Sequence, residues 1–298
     1  MQMEDIALID PPVQSMTLAD GRTLSWQEFG VPDGRPVLYF HGGGSFSLEA
    51  GIFYREAVRN NLRLISTNRP GAGDSTLCPG RPVAAYSDDL TELLDRLKIE
   101  KFACLGESNG GMMTLATAAT MAPRVLGAIP INPTVPWFDP VARRVSPGSV
   151  AVAYRLMRHA PWLLATLAKV AAGRMPKMKA ARRPSTGRFD RANLIGPPPG
   201  TEPDVADLQW RIMACHNKAA LLAEVRWASA DWGFDPHSIP TRLDFFCGVH
   251  DAQAPFALVL ADHNPDASFH YFSYGHNAFS HPDVRRRIMD MIASYFER

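Results

Sequence analysis

Four cysteines stand in 298 residues, at positions 78, 104, 215 and 247, and no two of them form a CxxC pair. Scattered thiols in a chain of this length exclude a disulfide framework and point to a reducing compartment. No run reaches the roughly 18 uninterrupted apolar residues that cross a bilayer. The nearest, residues 160–172, is broken by Pro161 and Lys169. Met1-Gln2-Met3-Glu4-Asp5 is acidic where a secretory or transit peptide is basic. The 31 Lys and Arg nearly balance 30 Asp and Glu, so no net field points to nucleic acid or a membrane. Gly (22) and Pro (25) stay well below the level of a disordered or collagen-like chain. What these absences leave is a cytoplasmic globular protein, 46% hydrophobic and long enough for a substantial core.

Within that chain, short apolar runs alternate with helical spacing. Residues 23–29 alternate like a strand after the turn pair Asp20-Gly21. Residues 37–40 and 62–66 are compact apolar runs, the first ending in glycines and the second in Arg69-Pro70-Gly71-Ala72-Gly73. A helix is expected over 48–60. Another is expected behind Ser87 as its cap, with Leu90, Leu93, Leu94 and Leu97 at helical spacing. Strand 102–105, helix 109–121 and strand 125–131 follow. Buried strands alternating with helices predict an α/β fold with a largely parallel sheet flanked by helices.

From residue 134 the pattern changes. Helical stretches at 150–156, 162–172 and 208–228 are divided by Gly196-Pro197-Pro198-Pro199-Gly200, with no convincing strand among them. Strand logic returns at 243–247, then a helix at 254–261, a strand at 268–272 and a terminal helix at 284–296. The expected organisation is a core of residues 1–133 and 236–298 with a helical cap, 134–235, inserted after the sixth strand.

The strongest chemical signal is Gly106-Glu107-Ser108-Asn109-Gly110, set between an apolar strand and a helix-forming run. A serine hydroxyl is a weak nucleophile. It needs exposure, a nearby base and donors for the developing oxyanion. A tight strand-to-helix turn supplies the exposure, and small residues two before and two after relieve its crowding. His41-Gly42-Gly43-Gly44 follows strand 37–40 and leaves backbone N–H groups free to face an anion. It lacks the Lys-Ser/Thr ending of a nucleotide loop. The amides of Gly43 and Asn109 are the expected oxyanion donors, with Gly44 as fallback for the first, and His41 reads as structural.

With these motifs the chain resembles the α/β-hydrolase family over residues 37–132 and 241–297, including the turn Arg69-Pro70-Gly71-Ala72-Gly73-Asp74-Ser75. The resemblance implies the chain order Ser, Asp/Glu, His. It directs the search for the acid to the loop after strand 243–247, where Asp251 is the choice. Asp139 is the rival; Asp244 lies in a strand and Asp262 in a helix, both worse placed. The base is expected after the last strand, at His276. His281 competes, but His281-Pro282-Asp283 reads as a helix start.

The implied reaction is serine hydrolysis of a carboxylic ester, lactone or thioester of a small organic substrate through an acyl-enzyme, with no metal or organic cofactor. Carbon–carbon bond hydrolases and proline iminopeptidases of the same fold are the enzymatic alternatives, and a ligand receptor on a hydrolase scaffold is the non-enzymatic one. The elbow's serine departs from the aspartate of haloalkane dehalogenases and epoxide hydrolases. Between Val141 and Arg191 stand twelve basic residues and one acid, Asp190. Such a segment steers an anionic substrate, attracts an acidic partner, grazes an anionic membrane or is simply a solvated face. Leu156, Met157 and Trp162 in the cap are candidates to line a substrate cavity.

Overall fold

The computed structural model describes residues 7–160, 162, 163, 166, 170, 197, 198, 200–214 and 218–297. Eight strands form one sheet in the order β1-β2-β4-β3-β5-β6-β7-β8. They are β1 (Gln14–Thr17), β2 (Thr23–Gly30), β3 (Arg35–Phe40), β4 (Leu62–Thr67), β5 (Phe102–Glu107), β6 (Val125–Ile131), β7 (Leu243–Gly248) and β8 (Ala267–Phe272). β2 runs antiparallel to both of its neighbours, β1 and β4, and every other pairing is parallel. β1 is exposed and short, and no apolar run marks it in the sequence.

The apolar runs without alternation have a direct cause. β3 sits between β4 and β5, with Val37 opposite Leu64 and Ala103. Alternate side chains enter opposite layers. Leu38 and Phe40 join a core with helices α2 (Tyr86–Arg96) and α3 (Asn109–Thr120). Val37 and Tyr39 join one beneath α1 (Tyr54–Arg59). Both faces are dry over residues 37–40, so all four of those positions are apolar.

Between β6 and β7 the described residues form helices and no strand: α4 (Pro140–Val145), α5 (Gly148–His159), α6 (Pro203–Ala214) and α7 (Lys218–Ser229). After β7 come α8 (Ala254–His263) and, following β8, α9 (Pro282–Ser294). Among the described residues no helix is long and apolar enough to cross a membrane.

Three local expectations are corrected. Residues 48–60 are not one helix: a 3-10 segment, Ser47–Phe53, precedes α1. Gly51 lies within it, where a Cβ would stand 3.1 Å from Leu208 and 3.2 Å from Phe29, so α6 packs directly on this turn. Ser87 is not a cap; α2 begins one residue earlier, and the Ser87 hydroxyl donates back to the Ala84 carbonyl. The stretch 208–228 belongs to two helices, α6 and α7. Of the basic segment, Arg143, Arg144, Arg155 and Arg158 are exposed on α4 and α5. Its remaining eight basic residues, Lys169 to Arg191, lie outside the described residues, as does Cys215. Cys104 and Cys247 are buried.

Candidate active site

Ser108 stands between β5 and α3 with φ 55° and ψ −114°, a left-handed backbone that a side chain rarely adopts. Packing over-determines it. A Cβ on Gly110 would collide with the Phe40 carbonyl, and one on Gly106 would lie 2.5 Å from the Gly110 carbonyl. The Ser108 carbonyl accepts from Thr134 N at 3.0 Å, and its own N–H donates to Ile131 O at 2.9 Å. The elbow is therefore tied to the end of β6.

His276 Nδ1 is hydrogen-bonded to Asp251 Oδ2. Asp251, on the loop after β7, also accepts from Gln253 N at 2.7 Å. One buried residue holds both loops. Asn132, at the end of β6 with φ 41°, donates Nδ2 to the His276 carbonyl at 2.7 Å and accepts from Gly248 N at 2.9 Å. Sequence reasoning passed over it. The available signal was an asparagine, which tolerates positive φ, directly after a parallel strand.

Ser108 and His276 line one cleft of about 170 Å³ with Gly42, Gly43, Ser45, Glu49, Ile52, Glu107, Gln209, Ile212, Asn277 and Phe279. The rival residues are engaged elsewhere. Asp139 caps α4 by accepting from Val141 N at 2.6 Å and Ala142 N at 3.1 Å, and it pairs with His237. Asp244 lies inside β7, where it accepts from Ser268 and Tyr295. Asp262 is exposed on α8. His281 does start α9: its Nδ1 accepts from Asp283 N, and Nε2 meets the Tyr274 hydroxyl at 3.0 Å.

The glycine loop faces the elbow, since a Cβ on Gly43 would stand 2.8 Å from Asn109 Nδ2. Gly44 fails as a fallback donor because its N–H donates to Glu224 Oε2 at 2.6 Å. Glu224, on α7, is itself buried against Arg69, whose guanidinium also donates to the carbonyls of His41 and Gly42. His41 is fully buried, its Nδ1 3.0 Å from Gly42 O, as a structural role requires. Of the cap candidates, Leu156 and Trp162 are not among the described residues that line the cleft. Trp162 is 63% exposed, Leu156 is half-buried on α5, and the Met157 side chain lies outside the described residues. α5 packs on α7, and α6 supplies Gln209 and Ile212 to the cleft instead.

The electrostatics are unusual. His276 Nε2 is ion-paired with Glu107 Oε1 at 2.9 Å, a close approach outside hydrogen-bond alignment, so two carboxyl groups flank the imidazole. Burial works against the charged ring, but the charges of Asp251 and Glu107 overcome it and raise its pKa well above the ordinary value. Glu49, buried beside Glu107, accepts from the Tyr39 hydroxyl at 2.8 Å and Gly42 N at 2.7 Å. Burial, and next the charge of Glu107, push its carboxyl up to about 7. Neither glutamate is marked by any pattern in the sequence: Glu49 lies in an expected helix and Glu107 in the variable position of the elbow.

A family profile described as alpha/beta hydrolase fold matches residues 35–161. A proline iminopeptidase of Arabidopsis thaliana is 29% identical over 126 residues, 39% of this chain and 31% of that protein. The match thus spans about a third of that relative's length. Among solved structures, the enol-lactonase from Burkholderia xenovorans LB400 superposes with a TM-score of 0.67 at 16% identity, covering 96% of this chain and 100% of that one. A thermophilic esterase from Thermogutta terrifontis gives 0.64 at 21% identity, covering 96% and 98%. At these identities the structural likeness establishes the fold alone.

Proposed function

Given that this chain has the α/β-hydrolase fold and is a member of that fold family, we propose that it is a serine hydrolase of a small carboxylic ester, lactone or thioester. One observation carries the reading: the strained Ser108 opens into the same cleft as a histidine hydrogen-bonded to a carboxylate. Ser108 Oγ attacks the carbonyl while His276 takes its proton. Asp251 holds the imidazole's tautomer and stabilises the imidazolium. The amides of Gly43 and Asn109 receive the oxyanion, the alcohol or thiol leaves with the proton from His276, and water cleaves the acyl-enzyme by the same route. Residues 134–235 act as a cap on the core, with α6 closing one side of the cleft.

A fluorophosphonate probe tests the nucleophile directly. The wild-type protein is expected to be labelled at Ser108 and to hydrolyse p-nitrophenyl butanoate, and Ser108→Ala to do neither. Absence of both labelling and turnover in the wild type would leave a binding module on a hydrolase scaffold.

A further inference from the structure

In the resting site the imidazole that should accept the Ser108 proton is occupied. Glu107 Oε1 lies 2.9 Å from His276 Nε2, and Asp251 holds Nδ1. An imidazole held this way is no base for Ser108 until Glu107 lets go. The rest of the cleft shows what would draw Glu107 away. Gln209 is 3% exposed, lines the cleft from α6, and its Oε1 has no hydrogen-bond partner. Glu49 Oε2 lies near the other oxygen of Glu107, across Gly42. The cleft lining contains no Lys or Arg among the described residues. Carboxylates that converge with no cation but His276 favour a ligand that brings a second one.

We propose that Glu107 is a specificity-determining and positioning residue: it restrains His276 until a hydrogen-bond-donating group of the substrate, best a protonated amine near the scissile carbonyl, takes its carboxyl. The inference rests on the hydrolase reading above. One cation replaces another. The substrate ammonium settles among Glu107, Glu49 and Gln209, and His276 keeps only Asp251 beside it. The imidazolium then releases its proton to water, and neutral Nε2 turns to the Ser108 hydroxyl.

The groups around Glu107 are consistent with this exchange. Tyr39 on β3 and Glu49 on the 3-10 segment face it from below, and His276 with Asp251 from the side. Arg69 spends its guanidinium on Glu224 and the carbonyls of His41 and Gly42 behind the glycine loop. It does not neutralise the pair from within the cleft.

The experiment compares p-nitrophenyl 3-aminopropanoate with p-nitrophenyl butanoate, in which ammonium and methyl are near-isosteric, with spontaneous hydrolysis subtracted. A charge-assisted hydrogen bond of about 1.5–3 kcal/mol corresponds to a preference of roughly tenfold or more in kcat/KM for the amine. In Glu107→Gln the preference is expected to fall towards unity. With butanoate, the acid limb of kcat/KM is expected to move to lower pH, by about one unit, because His276 loses one of its two negative neighbours. Fluorophosphonate labelling of Ser108 in the variant reports that the elbow is intact. If Glu107→Gln does not fold, Gln209→Leu serves: it removes an acceptor and is expected to lower the ratio of kcat/KM for the amine ester to that for butanoate. Equal rates on the two esters in the wild type would overturn the proposal. So would a labelled Glu107→Gln with unchanged preference and unchanged acid limb. A wild type that is neither labelled nor active fails earlier, at the hydrolase reading, and takes the proposal with it.

Discussion

Asp251 and Asp139 show how two aspartates of similar sequence setting part company at the level of the side chain. Asp251 meets His276, whereas Asp139 is spent on two amides of α4 and on His237. Burial alone would raise the Asp139 carboxyl, but the hydrogen bonds from His237 and those amides prevail and hold it below the usual value. Asp251→Asn is therefore expected to lower kcat by several orders of magnitude, about 10⁴ by analogy with the same change in other triads, because asparagine favours the wrong tautomer. Asp139→Asn is expected to leave kcat near wild type and to lower Tm, since it removes the carboxylate paired with His237 while asparagine still caps α4. Steady-state kinetics beside a thermal melt separate the two outcomes. The sequence marks Ser108, Asp251 and His276 as candidates because loop position after a strand is a local property. Glu107, Glu49 and Asn132 are not legible, because their meaning is which atom they meet.

At the scale of elements, a single buried carboxylate ties β7, β8 and α9. Asp244 accepts from Ser268 Oγ at 2.5 Å and Tyr295 OH at 2.6 Å, and pairs with Arg242 at 2.9 Å. Burial would raise its pKa. Hydrogen bonds from Ser268, Tyr295 and His270, with the Arg242 charge, overcome burial and lower it. A carboxyl lowered on folding contributes its full stability above its unfolded pKa of about 3.9 and loses it as pH falls through the folded value. Asp244→Asn is therefore expected to lower stability at pH 7. The gap to wild type should narrow below about pH 4 in urea titrations. An equal gap at both pH values would show that packing rather than charge sets the effect. The helix α9 itself was readable from its apolar spacing, but not this anchor, since the pairing of residue 244 with 295 spans the end of the chain.

For the molecule as a whole, ion pairs join the segment between β6 and β7 to the rest, the exposed pair of Arg211 with Asp10 and three more deeply placed ones among them. Arg69 meets Glu224 on α7, Arg55 meets Asp204 on α6, and Arg285 on α9 meets both Glu56 on α1 and Glu202 just before α6. Arg285 is fully buried. Removing one partner of a buried pair strands the other charge, typically at about 3–5 kcal/mol. Arg285→Met is expected to lower the unfolding free energy by an amount in that range, read as a lower urea midpoint, with Glu56 left uncompensated and its already raised carboxyl taking a proton. A midpoint unchanged from wild type would mean that methionine packing replaces the network. These pairs also set Gln209 and Ile212 at the cleft, so the substrate side of the site depends on contacts made far from Ser108.

The sequence by itself determined the alternation of strands and helices, the largely parallel sheet, the strand-to-helix turn at Ser108 and the loop positions of Asp251 and His276. Each depends on period, turn chemistry or position relative to a strand, and all of these act over a few residues. Only the tertiary structure decided that Gly44 gives its amide to Glu224, that α6 rather than α5 lines the cleft, and that Glu107 holds His276 beside Glu49. Those outcomes depend on side chains meeting across as many as 180 residues of chain, as Gly44 and Glu224 do. Burial and opposing charge choose such partners in three dimensions, and a linear pattern carries no record of the choice.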